Sequence, residues 1–302
     1  MNKQELSAMV AEILGQLEQP PMVKASEYKP RNAGPVQPDT HYHDGDFVED
    51  ISKLDLRKLY LVQNPTDQES YARLKAKTPA RLASGRAGPR YKTLTMLRFR
   101  ADHAAAQDAV FSQLPEDFGA INGMVSVTTR CVDKDMYLTR PDLGRIFDEE
   151  NQAIIKKAIP NPPTVQIVVG DGLSSAAIAA NAMDCMASIR DGLQLKGINT
   201  GKAIFVKFCR VGAGDAVGDV TGCDVVCVLV GERPGLVTDK SMSAYITYAP
   251  HTGVSESSRT VVSNIHAQGT PAVEAGAHIA DLIEKILRHK ASGVALLKEE
   301  SR

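Results

Sequence analysis

Thr164-Val165-Gln166-Ile167-Val168-Val169 is a β-branched run that ends on Gly170-Asp171-Gly172-Leu173-Ser174-Ser175. A run of this kind bounded by a turn is what a strand covered on both faces requires. The turn leads into a helix reaching about Leu195 and stopped by Gly197. Outward from there the alternation repeats. Residues 203–208 read as a second strand, 213–222 as a short turn or helix, and 225–230 as a third, wholly apolar strand. Residues 243–248 alternate more and so belong nearer an edge. Residues 271–289 are a closing amphipathic helix, with Thr270 as its cap and Gly293 as its end. Strands alternating with helices imply an α/β fold: a Rossmann-like, mostly parallel sheet with helices on both faces, over residues 151–302.

Upstream, residues 51–150 read as a smaller, mainly helical domain. Pro65-Thr66-Asp67 can start a helix through Tyr71, Leu74 and Lys75. Ser84-Gly85-Arg86-Ala87-Gly88-Pro89-Arg90 reads as a loop, and 91–113 as a helix. Residues 124–130 allow a short strand. Thr139-Arg140-Pro141-Asp142 has the form of a helix start, with a helix running to about Ala158. Residues 1–50 are a leader. In 3–18, Leu6, Met9, Val10, Ile13, Leu14 and Leu17 make a narrow apolar stripe. Residues 19–46, with five prolines, have linker composition. A stripe on a flexible tether suits a docking peptide better than a core.

Lys and Arg number 35 and Asp and Glu 36, so the 302-residue chain is nearly neutral. That argues against nucleic-acid binding as its main task. Hydrophobic residues make up 43%, enough for a sizeable core. No apolar stretch approaches the 18 residues a membrane span needs, and Met1–Leu14 lacks a secretory pattern. Five unpaired cysteines fit a reducing compartment, so the expected location is cytoplasmic. Trp is absent and aromatics are 5%, too few for a stacking platform.

In such a sheet, ligands bind at the carboxyl ends of the strands. Three loops there are informative. Asp171, Gly172, Leu173 and Ser174 open a helix, where free N–H groups can hold an anion or a polar edge; a plain helix cap is the alternative. Arg210-Val211-Gly212-Ala213-Gly214 and Gly231-Glu232-Arg233-Pro234-Gly235 together nearly make a dinucleotide fingerprint, since Glu232 follows Gly212 by 20 residues. Position 217 is Val, however, and Gly218 comes one residue late. A nicotinamide-dinucleotide oxidoreductase and a scaffold that only packs on a larger chain therefore stay open. Cys223 and Cys227 lack a histidine or second pair to complete a zinc set. Arg86, Arg90, Arg98 and Arg100 form a basic cluster: a solvated face, an anion contact or a subunit interface. No catalytic group or metal site is evident, which favours a cofactor-holding subunit over a self-sufficient enzyme.

Five segments then carry a resemblance. Ser84–Arg90 as quoted above, Tyr137-Leu138-Thr139-Arg140-Pro141-Asp142-Leu143-Gly144-Arg145, Asp171-Gly172-Leu173-Ser174, Val230-Gly231-Glu232-Arg233-Pro234-Gly235-Leu236 and Ser263-Asn264-Ile265-His266 with Gly269-Thr270-Pro271 are similar, in order, to the small (light) subunit of ethanolamine ammonia-lyase. The resemblance covers about residues 55–293. It implies a non-catalytic subunit of an adenosylcobalamin-dependent lyase that converts ethanolamine to acetaldehyde and ammonia by radical chemistry. It also implies a large-subunit partner that holds ethanolamine, with this chain closing over the cobalamin. The cofactor contacts it implies are Val211 after Arg210, Glu232, and Val261, with Asp171, Gly172, Leu173, Ser174, Gly231, Arg233, Ser263 and Asn264 around them. Val261 stands where Cys is expected in other members; a backbone contact survives that change and a side-chain contact does not. The resemblance further implies packaging in a bacterial microcompartment, with residues 1–18 as the address peptide.

Overall fold

The computed structural model describes residues 50–300 except 52, 53, 56, 57 and 79. The leader helix and linker read in residues 1–46 lie outside the described residues.

The run at 164–169 forms the strand the sequence predicts. Strand β4 (Val165–Gly170) is buried at all six positions. Alternate side chains divide between two cores, as the period of 2 dictates. Val165, Ile167 and Val169 face the helices Ser175–Leu195 and Ala272–His289, against Ile178, Ile189, Ile279 and Ile283. Val168 faces the other layer, where Ile155 of helix Glu149–Ala158 and Val217 of helix Ala213–Thr221 pack. Each such fully buried Val or Ile side chain contributes roughly 1.5–3 kcal/mol of transfer free energy, so this strand anchors both layers.

Counting two short strands upstream (β1, Arg86–Ala87; β2, Arg90–Tyr91), the sheet has six further strands, β3 (Val125–Thr128), β4, β5 (Ile204–Lys207), β6 (Val225–Gly231), β7 (Met242–Tyr248) and β8 (Arg259–Ile265), in the order β3-β5-β4-β6-β7-β8. The pairings among β3, β5, β4 and β6 are parallel. From β4 the chain crosses to β5 on one side; from β5 it returns past β4 to β6 on the other. The carboxyl ends of β4 and β6 thus flank a switch point, where open α/β sheets hold ligands. Because β3 is bonded to β5, the sheet reaches back across residue 150.

Several expectations need correction. The strand at 242–248 is antiparallel to β6, not parallel; residues 232–241 are too few for a crossover helix, so the chain must double back. A strand the sequence reading passed over, β8, forms the edge beyond it; its exposed, polar-rich pattern carries no apolar run. Thr139 does not start a helix. It ends the helix Lys134–Thr139, whose cap is Asp133 accepting from the Met136 N–H at 2.7 Å. Pro141 disfavours helical backbone at Arg140 and so separates the two helices. The next helix starts at Glu149, capped by Asp148 accepting from the Asn151 N–H at 2.8 Å. Thr270 does not cap the last long helix either: its N–H donates to Asn264 O and its carbonyl accepts from the His266 N–H. That helix ends at Lys290, in the left-handed region at φ 51°, and Gly293 precedes a further helix, Val294–Glu300. The segment 84–90 is a tight β1–β2 hairpin rather than an open loop. The helices at Gln68–Ala76 and Thr93–Phe111 form as read. Among the described residues no helix is long and apolar enough to cross a membrane.

Candidate cofactor-binding cleft

A cleft of about 350 Å³ opens at the switch point. The loop after β4 supplies Leu173, the loop after β5 supplies Cys209, Arg210, Val211 and Gly212, and the end of β6 supplies Val230, Gly231 and Glu232. Tyr137, Arg145, Tyr245 and Glu256 complete it.

Backbone closeness sets its floor. A Cβ on Gly231 would lie 2.1 Å from the Ser174 carbonyl oxygen, and one on Gly172 would lie 2.6 Å from a Val230 methyl. Only glycine allows the two strand-end loops to touch there, and the Leu173 N–H donates to Gly231 O at 3.2 Å. Ser174 is fully buried: it caps the helix Ser175–Leu195 through Ala177 N, and its hydroxyl donates to Asp239 O at 2.6 Å. Asp171 is buried as well and accepts from the Ser175 hydroxyl at 2.6 Å. Burial raises its carboxyl above the usual range, against the pull of Ser175 and Lys134. Lys134 donates to Gly172 O at 3.1 Å, and burial lowers its ammonium from the ordinary value.

Arg210 forms one wall. Its guanidinium stacks 4.2 Å above the Tyr137 ring, and Nη2 donates to Tyr137 O at 2.8 Å. The buried Nε has no hydrogen-bond partner among the described residues. Tyr137 is itself fixed by donating to Cys209 O at 3.0 Å. Also lining the cleft, the Tyr245 hydroxyl donates to Glu232 Oε1 at 2.6 Å. Behind the cleft residue Glu256, Arg259 bonds it at 2.7 Å and grips Asp215 with two 2.8 Å bonds. Arg259 holds the Glu256 carboxyl below its ordinary range.

The residues singled out from sequence therefore fall in different places. Leu173, Arg210, Val211, Gly231 and Glu232 meet in the cleft. Asp171, Gly172 and Ser174 are buried and shape the loop beneath it. Arg233 is exposed just beyond. Val261 is 47% exposed on β8, directly across from Tyr245 and so on the same sheet face. Ser263 is exposed, and Asn264 lines a separate cleft with Lys77, Thr78, His266 and Gln268. Tyr245 and Glu256 belong to no motif in the sequence, because lone residues on distant segments carry no spacing signal; Tyr137 and Arg145 bound the second motif quoted above, but nothing in that motif marks them as cleft residues. The dinucleotide-like Gly214 has another explanation: a Cβ there would lie 2.4 Å from a Val228 methyl, so helix-to-strand packing demands the glycine.

The profile of the ethanolamine ammonia-lyase light chain matches residues 68–297. The chain belongs to the ethanolamine ammonia-lyase small-subunit family. The ethanolamine ammonia-lyase small subunit of Clostridium perfringens is 55% identical over 300 residues, covering 98% of this chain and all of that one. That of Clostridioides difficile is 54% identical over 296 residues with the same coverage. That of Fusobacterium nucleatum is 55% identical over 255 residues, covering 84% of this chain and 86% of its own. The described family region includes every residue that lines the cleft.

Proposed function

We propose that this chain closes over an adenosylcobalamin at an interface with the large subunit of an ethanolamine ammonia-lyase, and that the cleft at the switch point takes one edge of the corrin. When bound, the cofactor supplies the radical chemistry that converts ethanolamine to acetaldehyde and ammonia. The reading rests on one observation above all: Arg210, Val211, Gly231 and Glu232, from loops after two different strands, meet in one cleft.

The residues fit the group. Cobalamin is fringed with amides, which offer both carbonyl acceptors and N–H donors. Arg210 lines the cleft with a guanidinium, a group that only donates and so suits an amide carbonyl. The Glu232 carboxylate is the matching acceptor for an amide N–H. Glycine at 172 and 231 brings the loop backbone close, and Val211 and Leu173 offer apolar contact. A cleft of about 350 Å³ is at the small end for even a drug-sized ligand. It suits one edge of a corrinoid and leaves the remainder to a partner chain. No side chain in it is arranged as a nucleophile with a base, so the role is to bind, orient and exclude water.

Val261, Arg233, Ser263 and Asn264 extend this reading to the rim of the cleft and the β8 edge. The leader, residues 1–18, serves on this reading as the address for a bacterial microcompartment within the cytoplasm. Deleting 1–18 should abolish packaging and leave activity intact; full packaging without it refutes that role. Ethanolamine deamination with added adenosylcobalamin tests the main reading. Activity is expected only when this chain and a cognate large subunit are mixed, and E232A should weaken cofactor retention in the mixture. An inactive mixture of two folded, associated chains overturns the assignment.

A further inference from the structure

We infer that Tyr245 is a positioning residue for Glu232: its hydroxyl holds the carboxyl in the one orientation that presents an oxygen to the bound cofactor's amides. The inference rests on the cofactor reading of the cleft. Tyr245 sits on β7, paired with Val228 of β6, on the face that packs against helix Ala213–Thr221. Its ring is anchored in that core and half-buried. Glu232 lies just past the end of β6, where the Glu232 N–H to Ser241 O bond at 2.9 Å prolongs the β6–β7 pairing. The backbone of Glu232 is thereby fixed, but its side chain still has three rotatable bonds. The 2.6 Å bond from Tyr245 removes that freedom. Burial first, and then the neighbouring Glu232, push the phenol up from its ordinary value, so it stays protonated and remains a donor across neutral pH. A tyrosine hydroxyl that donates to one carboxylate oxygen leaves the second oxygen to accept from a ligand. Both partners line the same cleft. Ordering the carboxylate before the cofactor arrives cuts the entropy lost on binding.

The test is a double-mutant cycle on the assembled two-subunit enzyme, with cyanocobalamin affinity read from the absorption change on titration, so that no turnover is required. E232A should weaken binding. Y245F, which deletes one oxygen and keeps the ring in its core, should weaken it roughly three- to tenfold. In the E232A background Y245F should change nothing, because a positioning residue has no one left to position. A tyrosine with a purely structural role would give losses that add. Additive losses, or an unchanged affinity in Y245F alone while E232A binds weakly, overturn the inference and leave the cofactor reading intact. Unchanged affinity in E232A overturns the reading of Glu232 and this inference with it.

Discussion

Replacing Gly231 by alanine probes the joint on which the cleft is built. The new Cβ would stand 2.1 Å from the Ser174 carbonyl oxygen, where ordinary contact begins near 3.4 Å. About 1.3 Å of separation must be found between two pieces of backbone. Neither piece yields easily. Gly231 is paired with Met242 in the sheet, and Ser174 is the fully buried cap of the helix Ser175–Leu195. Overpacking of this kind costs about 1–3 kcal/mol. Disturbing the Leu173 N–H to Gly231 O bond adds about 1 kcal/mol. A total near 3 kcal/mol lowers the melting temperature by about 5 °C for a 302-residue chain. Gly235 is the internal control. It lies in the same loop, a Cβ there meets nothing within 4 Å, and its φ is outside the left-handed region. G235A should be neutral, or stabilising by a fraction of a kcal/mol. Thermal melts of the two variants, followed by circular dichroism, decide the matter. If G231A melts with G235A, the close approach of the two loops is not what requires glycine, and the account of the cleft floor fails.

Three further outcomes are expected. R259L leaves the Asp215 carboxylate buried without its bidentate partner, so it should lose about 3–5 kcal/mol in urea unfolding; D215L/R259L should lose clearly less, and equal losses would contradict a desolvation origin. Asp171 has a raised carboxyl pKa through burial. The folded chain therefore holds more protons than the unfolded one above the ordinary carboxylate pKa of about 4, and stability drains away as pH rises from there through the raised folded value. D171N should thus gain on the parent as pH climbs from about 4 to 7, and urea midpoints that differ by a constant across that range would refute it. All five cysteines are buried, and burial pushes the Cys185 and Cys209 thiols up to about 12. Iodoacetamide at neutral pH should label none of them until denaturant is added, as mass spectrometry would show; fast labelling of the folded chain would mean the core opens readily.

Much of the fold is legible in local sequence because local chemistry sets it. The runs at 165–170 and 225–231 are apolar on both faces but for Gln166, whose amide is buried and bonded to Lys202 O at 2.9 Å, and that forces burial on both sides. Asp67 and Ser174 declare their helices by being the oxygens that the first free N–H groups need. Gly231 and Glu232 stand out because they interrupt an apolar strand at the end where ligands bind. Thr139 misled for a matching reason: its neighbours also suit a cap, and a proline two residues on closes one helix as readily as it opens another.

The cleft itself was a different matter. Tyr137, Tyr245 and Glu256 are ordinary residues in their own segments, and Tyr245 even alternates as an edge strand should. What gives each a role is an encounter with a residue far along the chain: Tyr137 under Arg210, Tyr245 on Glu232, Glu256 held by the Arg259 that also grips Asp215. The strand order that makes those encounters is not written in any one strand. It comes from the path the connections take, one crossover to each side of β4 and one return too short to cross at all. Residue chemistry along the chain settled which segments are strands, helices and turns, and which loops are polar enough to meet a ligand. Packing of those segments into one sheet settled which loops become neighbours, because contact between distant residues depends on the summed burial of whole elements and not on the character of either residue alone.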